Sequence, residues 1–158
     1  MSREFQIRPY RGKVDRQQLE IIKLPEKYIK QYTNSSPFYF TLKSLGVCTD
    51  YLYVMTPSLG ENIVGTILLR KRLRGFLPRY IWKIHAVGVA PELRGRGLGV
   101  ELLKYAFERL QEHGAKEASL KVDAVNEPAV RLYRKFGFTE KTRIGDQIIF
   151  IKRVTAKA

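Results

Sequence analysis

The chain has 158 residues, 44% of them hydrophobic, which suits one globular domain with a buried core. Its 29 Lys and Arg outweigh 15 Asp and Glu to give a formal net charge of +14, so anionic partners are expected: a phosphate-bearing cofactor, nucleic acid or an acidic substrate. One cysteine, Cys48, excludes an internal disulfide, no apolar run approaches ~20 residues, and Met1 to Tyr10 holds no signal-peptide core, so a cytoplasmic protein with no membrane association is expected.

Phe5 to Arg8 reads as a short first strand. Asp15 to Leu24 has helical spacing with Leu19 and Ile22 inward, and Pro25 breaks it and opens a second helix carrying Tyr28, Ile29 and Tyr32. Asn34-Ser35-Ser36-Pro37 is a turn, and Phe38 to Leu45 a short segment stopped by Gly46. Thr49 to Met55 and Ile63 to Leu69 read as strands joined through Pro57 and Gly60. Arg70 to Arg79 holds five cations and no acid, and reads as a hairpin loop. It is either a solvated charged turn or a platform for nucleic acid or an acidic protein or small substrate, with Phe76 as its anchoring group.

Tyr80 to Val89 is the next strand, ended by Pro91. A basic, glycine-dense turn follows and opens into a helix that puts Leu98, Leu102, Leu103, Ala106, Phe107 and Leu110 on one side, with Gly114 as its stop. Ala118 to Val122 is a strand. Asn126-Glu127-Pro128 starts another helix with an amide cap, an acid in the first turn and a proline whose missing N–H costs nothing; it ends at Gly137. Phe138 to Lys141 and Ile148 to Arg153 close the chain as a strand pair about Gly145-Asp146. This order predicts a mixed α/β domain with a central sheet over residues 1–158. The two histidines, His85 and His113, are far apart, and no Cys/His cluster has metal-ligand spacing.

The turn Arg94-Gly95-Arg96-Gly97-Leu98-Gly99 carries the chemistry. A strand that delivers a glycine loop to a helix N-terminus makes an anion site, because the first helical N–H groups lack partners and the dipole adds positive charge. The glycines let a phosphate approach the main chain, and Arg94 and Arg96 supply formal charge. No Gly-Lys-Ser/Thr follows, which excludes a P-loop, and glycines at every second position do not spell Gly-x-Gly-x-x-Gly.

Arg94-x-x-Gly97-x-Gly99 resembles the pyrophosphate loop of the GNAT superfamily of N-acetyltransferases. Asn126-x-x-Ala129-x-x-x-Tyr133-x-x-x-Gly137-Phe138 is similar to a second pattern of that family, at the expected distance downstream. Within the family, Arg131-Leu132-Tyr133-Arg134-Lys135-Phe136-Gly137-Phe138 resembles the branch that acetylates protein N-termini and ribosomal-protein alanines. The resemblance is good from Ile63 to Phe138 and poor over the first sixty residues. It implies a single mixed, mostly antiparallel sheet flanked by helices, and acetyl transfer from acetyl-CoA to an amine: a protein N-terminus, a lysine or a small molecule. It further implies that Val87, Gly88 and Val89 bind the pantetheine arm as an added strand. Arg94, Gly95, Arg96, Gly97, Leu98, Gly99 and Val100 then hold the pyrophosphate, Asn126 lies near the pantetheine or thioester end, and Tyr133 protonates the leaving thiolate. Asn126 read alone is also a helix cap, and Tyr133 also a packed core tyrosine.

The general base does not carry over. Related protein acetyltransferases often place Glu, Tyr or His where this chain has Lys83 and Lys121, and a lysine near its usual pKa of about 10.4 cannot accept a proton. A relayed water, a strongly desolvated lysine, or lysines that serve an acidic acceptor are the alternatives. Strand parity puts Lys83, His85 and Val87 on one side, so His85 is a further candidate, and Asp123 another. A second function stands beside transfer: a basic module of this fold that binds acyl-CoA or nucleic acid without catalysis.

Overall fold

The computed structural model describes residues 4–12, 15, 18, 48–75 and 79–155. Over these, one seven-stranded sheet forms from β1 (Phe5–Pro9), β2 (Cys48–Pro57), β3 (Gly65–Leu73), β4 (Tyr80–Val89), β5 (Glu117–Asp123), β6 (Thr139–Ile144) and β7 (Gln147–Arg153). The spatial order is β1-β2-β3-β4-β5-β7-β6. Neighbours are antiparallel except β4 and β5, which run parallel and therefore need a crossover. The crossover is α1 (Leu98–Glu112), and α2 (Glu127–Lys135) joins β5 to β6. This is the central sheet that the element order predicts, mixed and mostly antiparallel with flanking helices as the resemblance implies.

The unbroken apolar run on β3 is explained by burial on both faces. Ile67 and Leu69 join a large apolar cluster with Leu102, Leu103, Ala106 and Leu110 of α1, while Leu68 joins a smaller one with Leu52 and Val54. Alternation along a strand puts these two clusters on opposite sides of the sheet. Leu102, Leu103 and Leu110 are fully buried, and each such side chain stabilises the fold by ~2 kcal/mol. Both helices stop in the same way. Ala115 N–H donates to the Leu110 carbonyl (2.9 Å) past the left-handed Gly114, and Phe138 N–H donates to the Tyr133 carbonyl (3.0 Å) past the left-handed Gly137.

The expectation for Arg70 to Arg79 needs correction. β3 runs on to Leu73, so Arg70, Lys71 and Arg72 belong to a strand, and Arg70 lies opposite Asp50. Arg70 Nε and Nη2 donate to the two carboxylate oxygens of Asp50 at 3.0 and 2.9 Å, and Arg72 Nη1 donates at 3.0 Å. The acid that balances these two cations sits on the neighbouring strand, where a reading of the run alone does not look.

At the other edge, Asp15 is buried and takes Arg8 Nη1 and Nη2 at 2.7 and 2.9 Å and the Arg11 amide at 2.7 Å. The Arg8 guanidinium holds this carboxyl below the usual range, against the opposing effect of burial. Gln18 Oε1 accepts the Ile63 amide at 2.7 Å. The rest of the expected helices from Asp15 to Tyr32, the turn at 34–37, the segment Phe38 to Leu45, and Phe76 lie outside the described residues. Among the described residues, no helix is long and apolar enough to cross a membrane, and no three His, Cys, Asp or Glu gather as metal ligands.

Candidate functional site

The site begins where two strands part. β4 and β5 pair only through Trp82–Ala118, Lys83–Ser119 and Ile84–Leu120, although β4 continues to Val89 and β5 to Asp123. Beyond Ile84 the edge of β4 that carries Val87, Gly88 and Val89 has no ladder with β5. A β-bulge sits at the same point. On the β3 side, Leu68 opposes His85 and Thr66 opposes Gly88, so Ile67 alone faces both Ala86 and Val87. Ala86 takes a left-handed φ of 51°, costly for a residue with a Cβ. Thr66, fully buried, donates its Oγ1 hydrogen to the Ala86 carbonyl at 2.8 Å and braces the bulge.

The bulge overturns the parity argument. Trp82 and Ile84 face the large cluster, and after the extra residue Val87 and Val89 face it too, whereas Ala86 packs on the small cluster. His85 lies opposite Leu68 of that small cluster, so His85 and Val87 point to opposite sides. Strand alternation fails here because one inserted residue inverts every side chain beyond it.

The glycine loop arrives at the open end of β4. Gly97 caps α1 with φ 80°, no side chain caps the helix, and a Cβ built on Gly97 would meet nothing within 4 Å. The Arg94 amide donates to the Pro91 carbonyl (3.3 Å) and the Val100 amide to the Gly97 carbonyl (3.0 Å). Between them, no acceptor among the described residues takes the amides of Gly95, Arg96, Gly97, Leu98 or Gly99. The bare run is thus one residue shorter at each end than the sequence motif. At Gly99 a Cβ would lie 3.0 Å from Leu132 Cδ2, so this glycine lets α2 approach the start of α1.

The two arginines are engaged in ways the motif does not reveal. Arg94 Nε donates to the Val89 carbonyl at 3.1 Å, tying the loop to the end of β4. Arg96 Nη2 donates to both carboxylate oxygens of Glu4 at 2.7 and 2.9 Å, and its guanidinium lies 5.7 Å from the Phe5 ring. Both residues are exposed.

Asn126 caps α2, its Oδ1 accepting from the Ala129 amide at 3.4 Å, and its own amide donates to the Asp123 carbonyl at 2.9 Å. Tyr133 is buried, with its ring centroid 5.8 Å from Phe138 and 6.3 Å from Phe150. The pair Tyr133 and Phe138 is the apolar contact that accompanies a glycine helix stop, so part of the second motif records how α2 ends.

Among the base candidates, Lys83 and Lys121 are both exposed, so neither has the burial that a desolvated lysine requires. His85 is half-buried, and burial, followed by Arg70 and Lys83, depresses its pKa to about 4. It is neutral at physiological pH but a weak base. Asp123 is exposed at the end of β5. The bulge, its brace and the Arg96–Glu4 pair were not found from sequence. The one available signal was Thr66, a lone hydroxyl inside the apolar run Ile63 to Leu69.

The profile of the acetyltransferase (GNAT) family matches residues 19–138. A mycothiol acetyltransferase of Corynebacterium glutamicum is 38% identical over 80 residues, which are 51% of this chain and 26% of that protein. The chain therefore spans about a quarter of the length of that curated relative. A solved structure from Pyrococcus horikoshii superposes with TM-score 0.69 at 25% identity, covering 95% of this chain and 98% of that one. The PaiA N-acetyltransferase of Thermoplasma acidophilum, solved in complex with coenzyme A, superposes with TM-score 0.72 at 20% identity, covering 97% and 99%.

Proposed function

The chain belongs to the acetyltransferase (GNAT) family, and from that premise we propose that it is a single domain transferring acetyl from acetyl-CoA to a primary amine by direct attack. The observation that supports this reading is the run of five amides, Gly95 to Gly99, without a partner among the described residues, at the end of β4 where its ladder with β5 has stopped. Together they suit a diphosphate followed by an extended amide-bearing arm. Acetyl-CoA supplies an activated acyl group, whose thiol leaving group has a pKa near ~8.5.

The chain's own work is then positioning and proton transfer. Gly95 to Gly99 hold the diphosphate, Arg94 and Arg96 add charge at the rim, and Val87 to Val89 offer backbone groups to the pantetheine. Val89 N–H stabilises the carbonyl oxygen as the amine nitrogen bonds to its carbon. The C–S bond breaks, and Tyr133 gives its proton to the departing sulfur. The attacking nitrogen loses its proton to solvent, because neither exposed lysine nor His85 is suited to take it. Asn126 orients the thioester end while capping α2.

Release of free thiol from acetyl-CoA, followed over peptides with free N-termini, lysine side chains and small amines, tests the reading. Acceptor-dependent release together with calorimetric binding of coenzyme A supports it. Binding without transfer to any acceptor would favour a non-catalytic acyl-CoA module, and no binding would remove both.

A further inference from the structure

A second concavity opens at the other end of β4. Its lining follows the strand from Tyr80 to Lys83, so its near edge lies roughly 20 Å of strand from Val89, where the run toward the glycine loop begins. Its volume is about 610 Å³. Lys71, Arg74, Arg79, Lys83, Lys116 and Lys141 line it, and Glu117 is the single carboxylate among its described lining residues. These cations come from β3, its hairpin, β4, the α1–β5 connection and β6, so the fold gathers them from across the sequence. The hairpin's charge is divided by strand alternation. Arg70 and Arg72 turn to Asp50, Lys71 lies on the opposite face beside Trp82, and Lys83 lies on the face of Arg70, so the groove wraps the end of the sheet and draws cations from both faces. Six like charges about one concavity repel one another, with no internal acid to offset them beyond Glu117.

Aromatic surface lies among the charges. Tyr80 is 41% exposed, with Lys71 Nζ 3.9 Å from its ring centroid, and Trp82 forms part of the wall. We infer that this groove binds single-stranded nucleic acid, phosphates meeting the cations and a base stacking against Tyr80. Acidic side chains need the cations alone, whereas a single strand also uses an exposed ring on which a base can stack, and the two together favour the nucleic acid. The groove shares Lys83 with the base candidates, but its other five cations lie away from the glycine loop, and the inference does not depend on the acyl-transfer reading.

Fluorescence anisotropy of the full chain with a labelled single-stranded RNA of about twelve nucleotides tests this at several salt concentrations. Each phosphate neutralised contributes about −0.7 to the slope of log K against log salt. Arg74→Gln, Arg79→Gln, Lys116→Gln and Lys141→Gln combined should weaken binding at least tenfold and make that slope shallower by about 3. Tyr80→Ala should weaken binding ~5-fold or more and leave the slope unchanged. Circular dichroism and coenzyme A calorimetry on the same variants show whether the fold is kept. Absence of RNA binding, or a slope that survives the quadruple change in a folded protein, overturns the assignment. So does displacement of the RNA by oligoglutamate at equal charge concentration, which would give the groove to an acidic peptide.

Discussion

Tyr133 meets one demand by its packing and is proposed for another. Its ring closes the end of α2 against Phe138, and its hydroxyl is the proposed proton donor. Tyr133→Phe separates the two, since the ring and its packing stay. Turnover should fall ~100-fold or more while coenzyme A affinity stays within about twofold. Turnover at the wild-type rate would mean that solvent protonates the thiolate. The helix stop was legible because Gly137 and its flanking aromatics are what one requires, whereas a proton-donating role for the hydroxyl would leave no mark on spacing. His85 makes a different prediction. Its folded pKa of about 4 lies below the ordinary value near 6.5, so between those limits the unfolded chain binds the extra proton. Its contribution to stability is full above pH ~6.5 and is lost as pH falls toward 4, by ~2 kcal/mol after allowing for partial exposure. Asp15, whose pKa is lowered, contributes above the ordinary carboxylate range and weakens only below it. Urea unfolding between those two pH limits should therefore show a decline in the wild type that His85→Gln makes shallower, the remainder belonging to His113, whose pKa burial also lowers. Equal declines in both proteins would place the loss elsewhere.

At the scale of elements, periodicity and turn residues located the seven strands and two α-helices of the described residues, missing the 3-10 turn Pro91–Leu93 and ending β3 and β6 several residues early. They failed where long-range partners decide. β3 outran its apolar stretch because Asp50 neutralises Arg70 and Arg72 across the ladder. β4 broke parity because Thr66, on the next strand, holds the Ala86 carbonyl. The bulge and the early end of the β4–β5 ladder coincide, and together they open the edge that the proposed cofactor needs. Thr66→Val keeps the shape of the side chain and removes the donor to that buried carbonyl. The loss should cost ~1–3 kcal/mol in urea unfolding. Coenzyme A affinity should also fall several-fold, as the bulge relaxes toward regular pairing. A destabilised variant with unaltered affinity would show that the open edge does not rely on the brace.

Across the whole molecule the dominant fact is charge, and its total was legible although its placement was not. Fourteen excess positive charges do not sit evenly. Glu4, Glu101 and Glu108 line a cavity of about 580 Å³ between β1 and α1, whereas the groove at the far end of β4 is almost wholly cationic. Several ion pairs are exposed, among them Lys104–Glu101 and Arg131–Glu127, and such pairs contribute little. Self-repulsion acts over longer range, because the Debye length is about 30 Å at 0.01 M salt and about 8 Å at 0.15 M. Screening therefore removes more repulsion than attraction. Raising sodium chloride from about 0.01 M to about 0.15 M should raise the melting temperature by several degrees. Variants that remove groove cations at Arg74, Arg79, Lys116 and Lys141 should start from a higher melting temperature at low salt and respond less. A melting temperature that falls on adding salt would mean that the ion pairs outweigh the net charge, and the groove would then carry no folding cost for a ligand to offset.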